Sequence, residues 1–393
     1  MKKKIEVGTV IFIVIVAVIL ACLATYMYLT SMMPSLVTKE NFYDRITEVN
    51  KTIEQRYVGE ADSDSAMNAL LSGYVSAVDK YSTYLNEEEY SNYALQMNGK
   101  YSGAGVTVKY VSSSGLLKII NVKSNSPAAS AGIAVGDMIY TINGRNVDEM
   151  SYEEAVSLLK AEIGTVINLV VLRGEQSLEK FITVSEYVTS SIDYDLIEND
   201  VGYIAISEFD NTTFEDFKKA VDDLEGRGAA QYIFDVRNNT GGSLSSVVNI
   251  LDYLLPEGNL VTLRDKAGKE TSYSSDANCF SKKYAVLING STYSGGELFA
   301  AAVRDFNAGT LVGETTYGKG YAQEIIPLSK GALYLSTKMY YPPSGENYDG
   351  VGVSPNIESK LSAQLEDRFY ELSYREDTQI IAALNALGKN IAA

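Results

Sequence analysis

The stretch Lys283–Asp305, "KYAVLINGSTYSGGELFAAAVRD", contains a complete strand, turn and helix. Its first apolar run predicts a buried strand, the small polar residues predict a turn, and the apolar residues from Leu298 onwards predict a helix. Further strands are predicted on either side of it at "VGYIAISEF", "AQYIFDVR" and "GTLVGE". Because these strands alternate with helices, we expect an α/β layer whose functional residues lie on loops after the strand ends.

The segments before this layer differ in character. From Asn41 to about Leu95 apolar residues recur at steps of three and four, which is typical of amphipathic helices. From Asn98 to Glu186 short strands predominate, with one helix at "SYEEAVSLLKAE". We therefore predict a multidomain protein of mixed α+β and α/β class, with a helical segment at 38–97, a β-rich domain at 98–187 and an α/β core with a C-terminal helix at 188–393.

The first thirty residues predict a membrane anchor. Lys2, Lys3 and Lys4 precede an apolar run from Val7 to about Leu29, which is long enough to cross a bilayer. The lysines are expected to stay in the cytoplasm and the rest of the chain to lie outside it. A cleaved signal peptide is the alternative, but its apolar region is normally shorter. We expect residues 1–37 to form a cytoplasmic start, a single uncleaved transmembrane helix in the cell membrane, and a short linker.

The composition argues against several classes of protein. Fifty acidic and 33 basic residues give a net charge of −17, whereas broad contact with nucleic acid needs a basic surface. The only cysteines are Cys22, within the N-terminal apolar run, and Cys279, so we expect no disulfide framework. The chain has no histidine, which argues against a zinc site. We therefore expect neither a metal nor another cofactor.

Ser294 is a candidate nucleophile at the start of the predicted helix. The unpaired backbone N–H groups at a helix start can hold a developing oxyanion. The plainer interpretation is a capping box, in which Ser294 caps the helix and Glu297 reaches back to it, and the two roles are compatible. A serine hydroxyl is a poor nucleophile without a base that takes its proton. Since histidine is absent, another side chain must supply that base.

The segment "GETTYGKGYAQ", Gly313–Gln323, offers a lysine for this role. It is close to a phosphate-binding loop, but Gly320 stands where that loop has a hydroxyl, and a strand is predicted to follow instead of a helix. Lysine can act as a general base where burial lowers its pKa. In an extended segment Lys319 and Gln323 share a face, so the Gln323 amide oxygen can hold the amine. A solvated lysine in a glycine turn is the commoner alternative.

Together with "DVRNNTGGSL", Asp235–Leu244, these motifs resemble those of the C-terminal processing peptidases, also called tail-specific proteases. In that family the nucleophile precedes a glutamate by three residues, and the lysine base follows in a motif similar to "TYGKGYAQ". The resemblance implies that Ser294 is the nucleophile, Lys319 the base and Gln323 its orienting residue. It also implies that Gly242 and Gly295 donate the N–H groups of the oxyanion hole.

The resemblance extends to the β-rich domain, where "SGAGVTV" and "SNSPAASAGIAVGDMIYTING" are similar to the family's PDZ domain. It implies that backbone N–H groups of the loop Gly103, Ala104, Gly105 and Val106 capture the terminal carboxylate of a peptide, which adds a strand to the domain. The chain departs from the common family pattern after the nucleophile, where it has two glycines.

We therefore expect a membrane-anchored, extracytoplasmic serine endopeptidase that recognises protein C-terminal tails and cuts peptide bonds through an acyl-enzyme. Formation of a homo-oligomer stays open. One alternative is a non-catalytic PDZ scaffold that binds such tails, although a pure binder has no need of the whole Ser–Lys–Gln set. Another is a Ser/Lys hydrolase of other esters or amides, which the PDZ-like domain disfavours.

Overall fold

The computed structural model describes residues 7–32 and 40–391. The chain divides into two compact units, Met1–Leu71 and Ser72–Ala393. The lysines predicted at the cytoplasmic start, Lys2 to Lys4, and the predicted linker at 33–37 lie outside the described residues. The four predicted domain ranges stay predictions.

The first unit is helical. It contains α1 (Val7–Met32), α2 (Glu40–Arg56) and the first part of α3 (Ser63–Ser76). In α2 apolar residues collect on one side of a helix that is otherwise strongly polar, as the sequence spacing predicts.

The predicted transmembrane helix is corrected. Crossing a bilayer core requires about 20 consecutive apolar residues in a helix. Within residues 7–32 and 40–391, no helix meets that requirement of length and apolarity.

The second unit begins with several elements, of which the sequence predicted only some. The segment "DKYSTYL", within the stretch whose apolar spacing is typical of helices, contains the short strand β1 (Thr83–Leu85). This strand pairs antiparallel with a later strand of the core, Thr83 opposite Tyr334. Helix α4 (Glu87–Gln96) follows, and Asn86 and Glu89 form a capping box at its start. A local pattern cannot show this pairing, because the two strands are about 250 positions apart.

The β-rich part forms a small sheet domain with its own core. Its main sheet has the order β3-β4-β5-β7-β8, with β6 paired to β5, while β2 and β9 form a separate two-stranded sheet. The core lies between the main sheet and α6, and includes Ile119, Ile139 and Leu169. The elements are β2 (Lys100–Gly103), β3 (Val106–Val111), β4 (Leu116–Val122), α5 (Pro127–Ser130), β5 (Met138–Ile142), β6 (Arg145–Asn146), α6 (Tyr152–Leu159), β7 (Val166–Arg173), β8 (Gln176–Thr183) and β9 (Ser185–Val188).

The α/β part is built on a six-stranded sheet of order β10-β11-β12-β15-β16-β19, in which every pair is parallel except β10 with β11. Successive side chains point to opposite faces of a strand. In β12, Phe234 therefore packs into one apolar cluster and Ile233 into another on the opposite face. The elements are β10 (Ile192–Ile197), β11 (Val201–Ile206), α7 (Thr213–Gly226), β12 (Gln231–Asp235), α8 (Leu244–Leu254), β13 (Gly258–Asp265), β14 (Glu270–Ser275), β15 (Lys283–Ile288), α9 (Gly295–Asp305), β16 (Thr310–Gly313), β17 (Tyr321–Pro327), β18 (Ala332–Tyr341), β19 (Ile357–Glu358), α10 (Ala363–Glu366) and α11 (Thr378–Ala386).

A second sheet completes this part, with the order β1-β18-β13-β14 and with β17 paired to β18. The strands β12, β15 and β16 are neighbours and parallel, so their carboxyl ends meet at one edge of the central sheet. The loops that follow them contain the three motifs singled out in the sequence. This agrees with the expectation that functional residues of an α/β layer follow the strand ends.

A buried ionic network joins this edge to the C-terminal helix. The Arg237 guanidinium donates to both carboxylate oxygens of Asp235, with Nε 3.0 Å from each. Its Nη1 atom donates to Asp377 Oδ2 at 2.7 Å and to Gln379 Oε1 at 2.8 Å. Asp377 also caps α11 by accepting from the backbone N–H of Gln379 and Ile380. The network therefore fixes the end of β12 and the start of α11 together.

Replacing Arg237 with alanine should destabilise the protein by about 3–5 kcal/mol, because two buried carboxylates lose their cation. Urea unfolding followed by circular dichroism measures the change. The control is Arg227→Ala, which removes exposed ion pairs with Asp195 and Asp223 and should cost less than about 1 kcal/mol. Equal effects of the two substitutions would contradict a structural role for the buried network.

Candidate active site

Ser294 lies in a strained turn between β15 and α9. Its backbone has φ 58° and ψ −117°, which is uncommon for a residue other than glycine. Its side chain is buried, with 7% of the residue exposed. Strained strand-to-helix turns of this kind are used to present nucleophilic side chains. The candidate nucleophile is therefore enclosed by its neighbours.

Glu297 joins the serine turn to the lysine loop. Its carboxylate accepts hydrogen bonds from the backbone N–H of Ser294 at 3.0 Å and of Lys319 at 2.7 Å. It also accepts from the Gly318 N–H at 2.6 Å and from the Thr316 hydroxyl at 2.5 Å. Sequence analysis identified only the first of these contacts, as half of a capping box. The other three hold the two candidate catalytic segments in one arrangement.

Glu297 is completely buried. Burial raises the pKa of Glu297 above its ordinary value of 4.5, and its four hydrogen bonds offset this rise only in part. A buried carboxylate is retained only where donors compensate for its lost hydration. The four hydrogen-bond donors therefore stabilise the ionised form of Glu297 at this buried position.

Lys319 is also buried, with 7% of the residue exposed. Its Nζ atom lies 5.1 Å from the ring centre of Tyr81, 5.6 Å from that of Tyr293 and 5.9 Å from that of Tyr334. Burial lowers the pKa of Lys319 below the ordinary lysine value of 10.5, against the opposing charges of Asp79 and Glu297. The solvated lysine of the alternative interpretation is therefore excluded. Over residues 40–391, no hydrogen bond joins Lys319 Nζ to Ser294 Oγ.

Gln323 does not stand in the simple register that was predicted. Strand β17 begins at Tyr321, two residues after Lys319, and its pairing with β18 shifts between Ala322 and Gln323. Strict alternation therefore does not relate the two side chains. The Gln323 amide nitrogen donates to Ser336 Oγ at 3.0 Å, which leaves the amide oxygen as the free end of the group.

Two glycines predicted to form an oxyanion hole, Gly242 and Gly295, lie in loops that contact each other through Gly241. A Cβ atom added to Gly241 would come within 2.8 Å of the Gly295 nitrogen and 2.9 Å of Ser294 Cβ, so the two loops are in close contact. Gly242 has φ 131°, and a Cβ there would meet the Phe209 carbonyl oxygen at 2.0 Å. Among the hydrogen bonds of the described chain, neither Gly242 N–H nor Gly295 N–H has an acceptor. An oxyanion hole requires backbone N–H groups that have no acceptor of their own.

The predicted carboxylate loop of the β-rich domain lies against the end of α6. Gly103 and Gly105 have φ of 127° and 83°, which require glycine. The Ala104 N–H, however, donates to the Leu159 carbonyl at 3.3 Å, so it is not free. Val106, the last residue of the predicted loop, already pairs with β4. A peptide carboxylate would therefore have to displace the Ala104 bond to use all of this loop.

Two segments of the sequence match known protein families. Residues 200–359 match peptidase family S41, and residues 118–173 match a PDZ domain. The chain is 29% identical over 324 residues to the carboxy-terminal-processing protease of Bartonella bacilliformis, covering 80% of this chain and 74% of that protein. It is 28% identical over 332 residues to the carboxy-terminal processing protease CtpA of Bacillus subtilis, covering 83% and 71%.

The chain therefore contains a domain of peptidase family S41. It is a serine-type peptidase with a PDZ domain, and the predicted resemblance to C-terminal processing peptidases is confirmed. A solved structure of a putative S41 protease from Bacteroides fragilis has a TM-score of 0.61 at 20% identity and covers 84% of this chain and 92% of its own. The photosystem II D1 C-terminal processing protease gives 0.50 at 24% identity, with coverage of 81% and 88%. These two likenesses concern the fold.

The Glu297→Gln substitution should destabilise the S41 domain by about 3 kcal/mol, because the amide NH₂ of glutamine would face donors instead of accepting from them. We also expect peptide cleavage to fall by about 100-fold, because Ser294 and Lys319 lose their common anchor. Urea unfolding and a cleavage assay measure the two effects. The control is Glu89→Gln, which alters an exposed capping box at Asn86 and should cost no more than about 1 kcal/mol. Unchanged activity of Glu297→Gln would contradict this role.

Proposed function

We propose that this S41 peptidase cuts peptide bonds with a Ser294–Lys319 dyad, in which Gln323 orients the lysine. The neutral Lys319 amine takes the Ser294 proton while Oγ bonds to the peptide carbonyl carbon. The N–H groups of Gly242 and Gly295 stabilise the resulting oxyanion. The C–N bond then breaks, and the ammonium group returns its proton to the leaving amine. Water attacks the acyl-enzyme, which releases the second product and restores the serine.

The observation that supports this mechanism is the shared anchor of the two segments on Glu297. A single buried carboxylate binds the backbone N–H groups of both Ser294 and Lys319. Catalysis depends on holding reacting groups in a fixed relation, which an anchor of this kind provides. In addition, tyrosine rings surround the buried Lys319 amine, and burial lowers the pKa of Lys319, so its neutral form is more populated than that of an exposed lysine.

The dyad is tested by Ser294→Ala and Lys319→Ala, each of which should abolish cleavage of an unstructured peptide without unfolding the protein. Matched controls are the exposed residues Ser291 and Lys266, whose alanine variants should keep wild-type rates. Mass spectrometry identifies the products, and circular dichroism checks the fold. Full turnover by either site variant would refute the dyad. Binding without cleavage by the wild type would instead favour the scaffold, and cleavage of small esters alone would favour a different hydrolase.

The pH dependence follows from the state of the lysine. Only the neutral amine accepts a proton, so kcat/KM should rise with pH as Lys319 loses its own proton. Because burial lowers the pKa of Lys319, the midpoint of this rise should lie below 10.5. A pH profile of kcat/KM measures it. A rise centred at the pKa of an exposed lysine would contradict the use of a buried base.

We further propose that the PDZ domain captures the C-terminal tail of a substrate protein through its carboxylate. Backbone N–H groups bind an ionised carboxylate more strongly than a neutral amide. A peptide ending in a free carboxylate should therefore bind the inactive Ser294→Ala protein about 10-fold more tightly than its amidated form, a difference of about 1.4 kcal/mol. Fluorescence anisotropy measures both affinities. Equal affinities would exclude carboxylate capture.

The loop itself is tested by a pair of glycines with similar backbone conformations. At Gly105, φ is 83° and an added Cβ would come within 2.1 Å of Ser126 Cβ. At Gly144, φ is 78° and no atom of the described chain lies within 4 Å of the added Cβ. Gly105→Ala should therefore weaken tail binding, whereas Gly144→Ala should not. A location outside the cytoplasm and the formation of a homo-oligomer stay predictions.

A further inference from the structure

A chain of hydrogen bonds leads away from Gln323 to the segment before β1. The Gln323 amide nitrogen donates to Ser336 Oγ in β18 at 3.0 Å. The Ser336 hydroxyl oxygen lies 3.4 Å from Ser82 Oγ, and Ser82 Oγ accepts the Ser336 backbone N–H at 3.1 Å. Ser82 Oγ in turn donates to Asp79 Oδ2 at 2.8 Å. Four side chains from three separate segments are therefore connected.

This series of hydrogen bonds ends at the Asp79 carboxylate, which can accept hydrogen bonds but cannot donate them. Asp79 also accepts from the backbone N–H of Tyr81 at 2.7 Å and of Ser82 at 2.6 Å. Burial raises the pKa of Asp79, but these hydrogen bonds outweigh it and bring the pKa below the ordinary 3.8. Asp79 is therefore ionised at neutral pH, and Ser82 is buried beside it.

The Asp79 carboxylate determines which atom donates in each hydrogen bond of this series. A serine hydroxyl has one proton, and that of Ser82 is donated to Asp79. The two hydroxyls, 3.4 Å apart, are also placed for Ser82 to donate. Its single proton is held by the ionised Asp79 at 2.8 Å, so the Ser336 proton is the one left for this contact. The remaining lone pairs of Ser336 accept from the amide nitrogen of Gln323. The Gln323 amide is thereby fixed with nitrogen towards Ser336 and oxygen at the opposite end.

The same segment also contacts the lysine loop. The Tyr81 ring lies 5.1 Å from Lys319 Nζ, and the Tyr81 hydroxyl donates to the Gly318 carbonyl at 3.4 Å. The carboxylates whose charge acts on Lys319 are Asp79 and Glu297. Asp349 lies close by and accepts from the Gly320 N–H at 3.0 Å. The tyrosines around the amine, Tyr81, Tyr293 and Tyr334, are neutral.

We propose that Asp79 and Ser82 are positioning residues of the catalytic site. Through Ser336 they hold the Gln323 amide with its oxygen available to the Lys319 amine, and Asp79 adds a fixed negative charge beside that amine. This inference rests on the proposed Ser294–Lys319 mechanism. It assigns a role to residues of the N-terminal part of the second unit, outside the α/β part that contains the dyad.

The test is Asp79→Asn in the full chain, assayed as kcat/KM against pH with an unstructured peptide. Asparagine presents an NH₂ group to Ser82, which reverses the hydrogen bonds along the chain and turns the Gln323 amide. We expect the plateau of kcat/KM to fall by about 10- to 100-fold. A nearby negative charge favours the protonated amine, so its removal should also move the rising limb to lower pH.

A matched control is available in Asp62. Asp62 accepts from the Ser65 hydroxyl at 2.7 Å and from the N–H groups of Asp64 and Ser65, the same local bonds that Asp79 has with its own turn. Asp62→Asn should leave both the plateau and the limb unchanged. A lower plateau in Asp79→Asn with an unmoved limb and a lower melting temperature would reduce Asp79 to a structural role and overturn the proposal.

A second pair of variants keeps the test decisive if Asp79→Asn does not fold. Ser336→Ala breaks the link to Gln323 and should lower the plateau by about 10-fold, whereas Ser336→Thr retains the hydroxyl and should restore it. Wild-type rates in Ser336→Ala would contradict the positioning of Gln323 through Ser336. The parent mechanism is judged separately: if Lys319→Ala is inactive while Asp79→Asn has the wild-type profile, the positioning role alone fails, and if Lys319→Ala is active, the dyad fails.

Discussion

The Glu297 carboxylate is the constraint on which the geometry of the site depends. Its two oxygen atoms accept four hydrogen bonds, one from the serine turn and three from the loop Thr316–Lys319. Each of these donors would otherwise be a buried polar group without a partner, which costs about 1–3 kcal/mol. The charge and its donors therefore stabilise each other, and neither loop can move without exposing the other to that cost.

Arg237 is a second buried charge, and it also joins separate segments near this edge of the sheet. Arg237 connects Asp235 at the end of β12 to Asp377 at the start of α11. The residues that follow Arg237 lead to Gly241, which lies against Ser294 and Gly295. Loops at this edge lie outside the ladder of the sheet, and these ionic anchors help to fix them.

The replacement of histidine by lysine explains the aromatic character of the site. An amine becomes a useful base only if its charged form is disfavoured, and desolvation is the means that proteins have for this. Tyrosine rings surround Lys319, while Asp79 and Glu297 act in the opposite sense. The lysine is therefore placed between two opposing influences, and the direction of its pKa shows that burial is the larger one.

The sequence by itself indicated four neighbouring strands of the central sheet, β11, β12, β15 and β16, and their alternation with helices, because apolar periodicity and glycine turns are local properties. It also indicated the resemblance to C-terminal processing peptidases, since the serine, lysine and glycine motifs are short and keep their spacing in the chain. It did not determine whether an apolar N-terminal run forms a span, and that prediction was wrong. The strand at Thr83–Leu85 was missed because its pairing partner is distant in sequence.

Tertiary structure alone decided how the motifs act on one another. The sequence placed Glu297 three residues after Ser294, but its contact with the Lys319 loop depends on the adjacency of β15 and β16. The simple alternation that related Lys319 to Gln323 failed at a register shift in β17. Likewise, no local pattern connects Asp79 to Gln323, since their link runs through a third segment. Periodicity specifies which face a residue occupies within its own element, whereas burial and long-range hydrogen bonds arise only when the elements have packed.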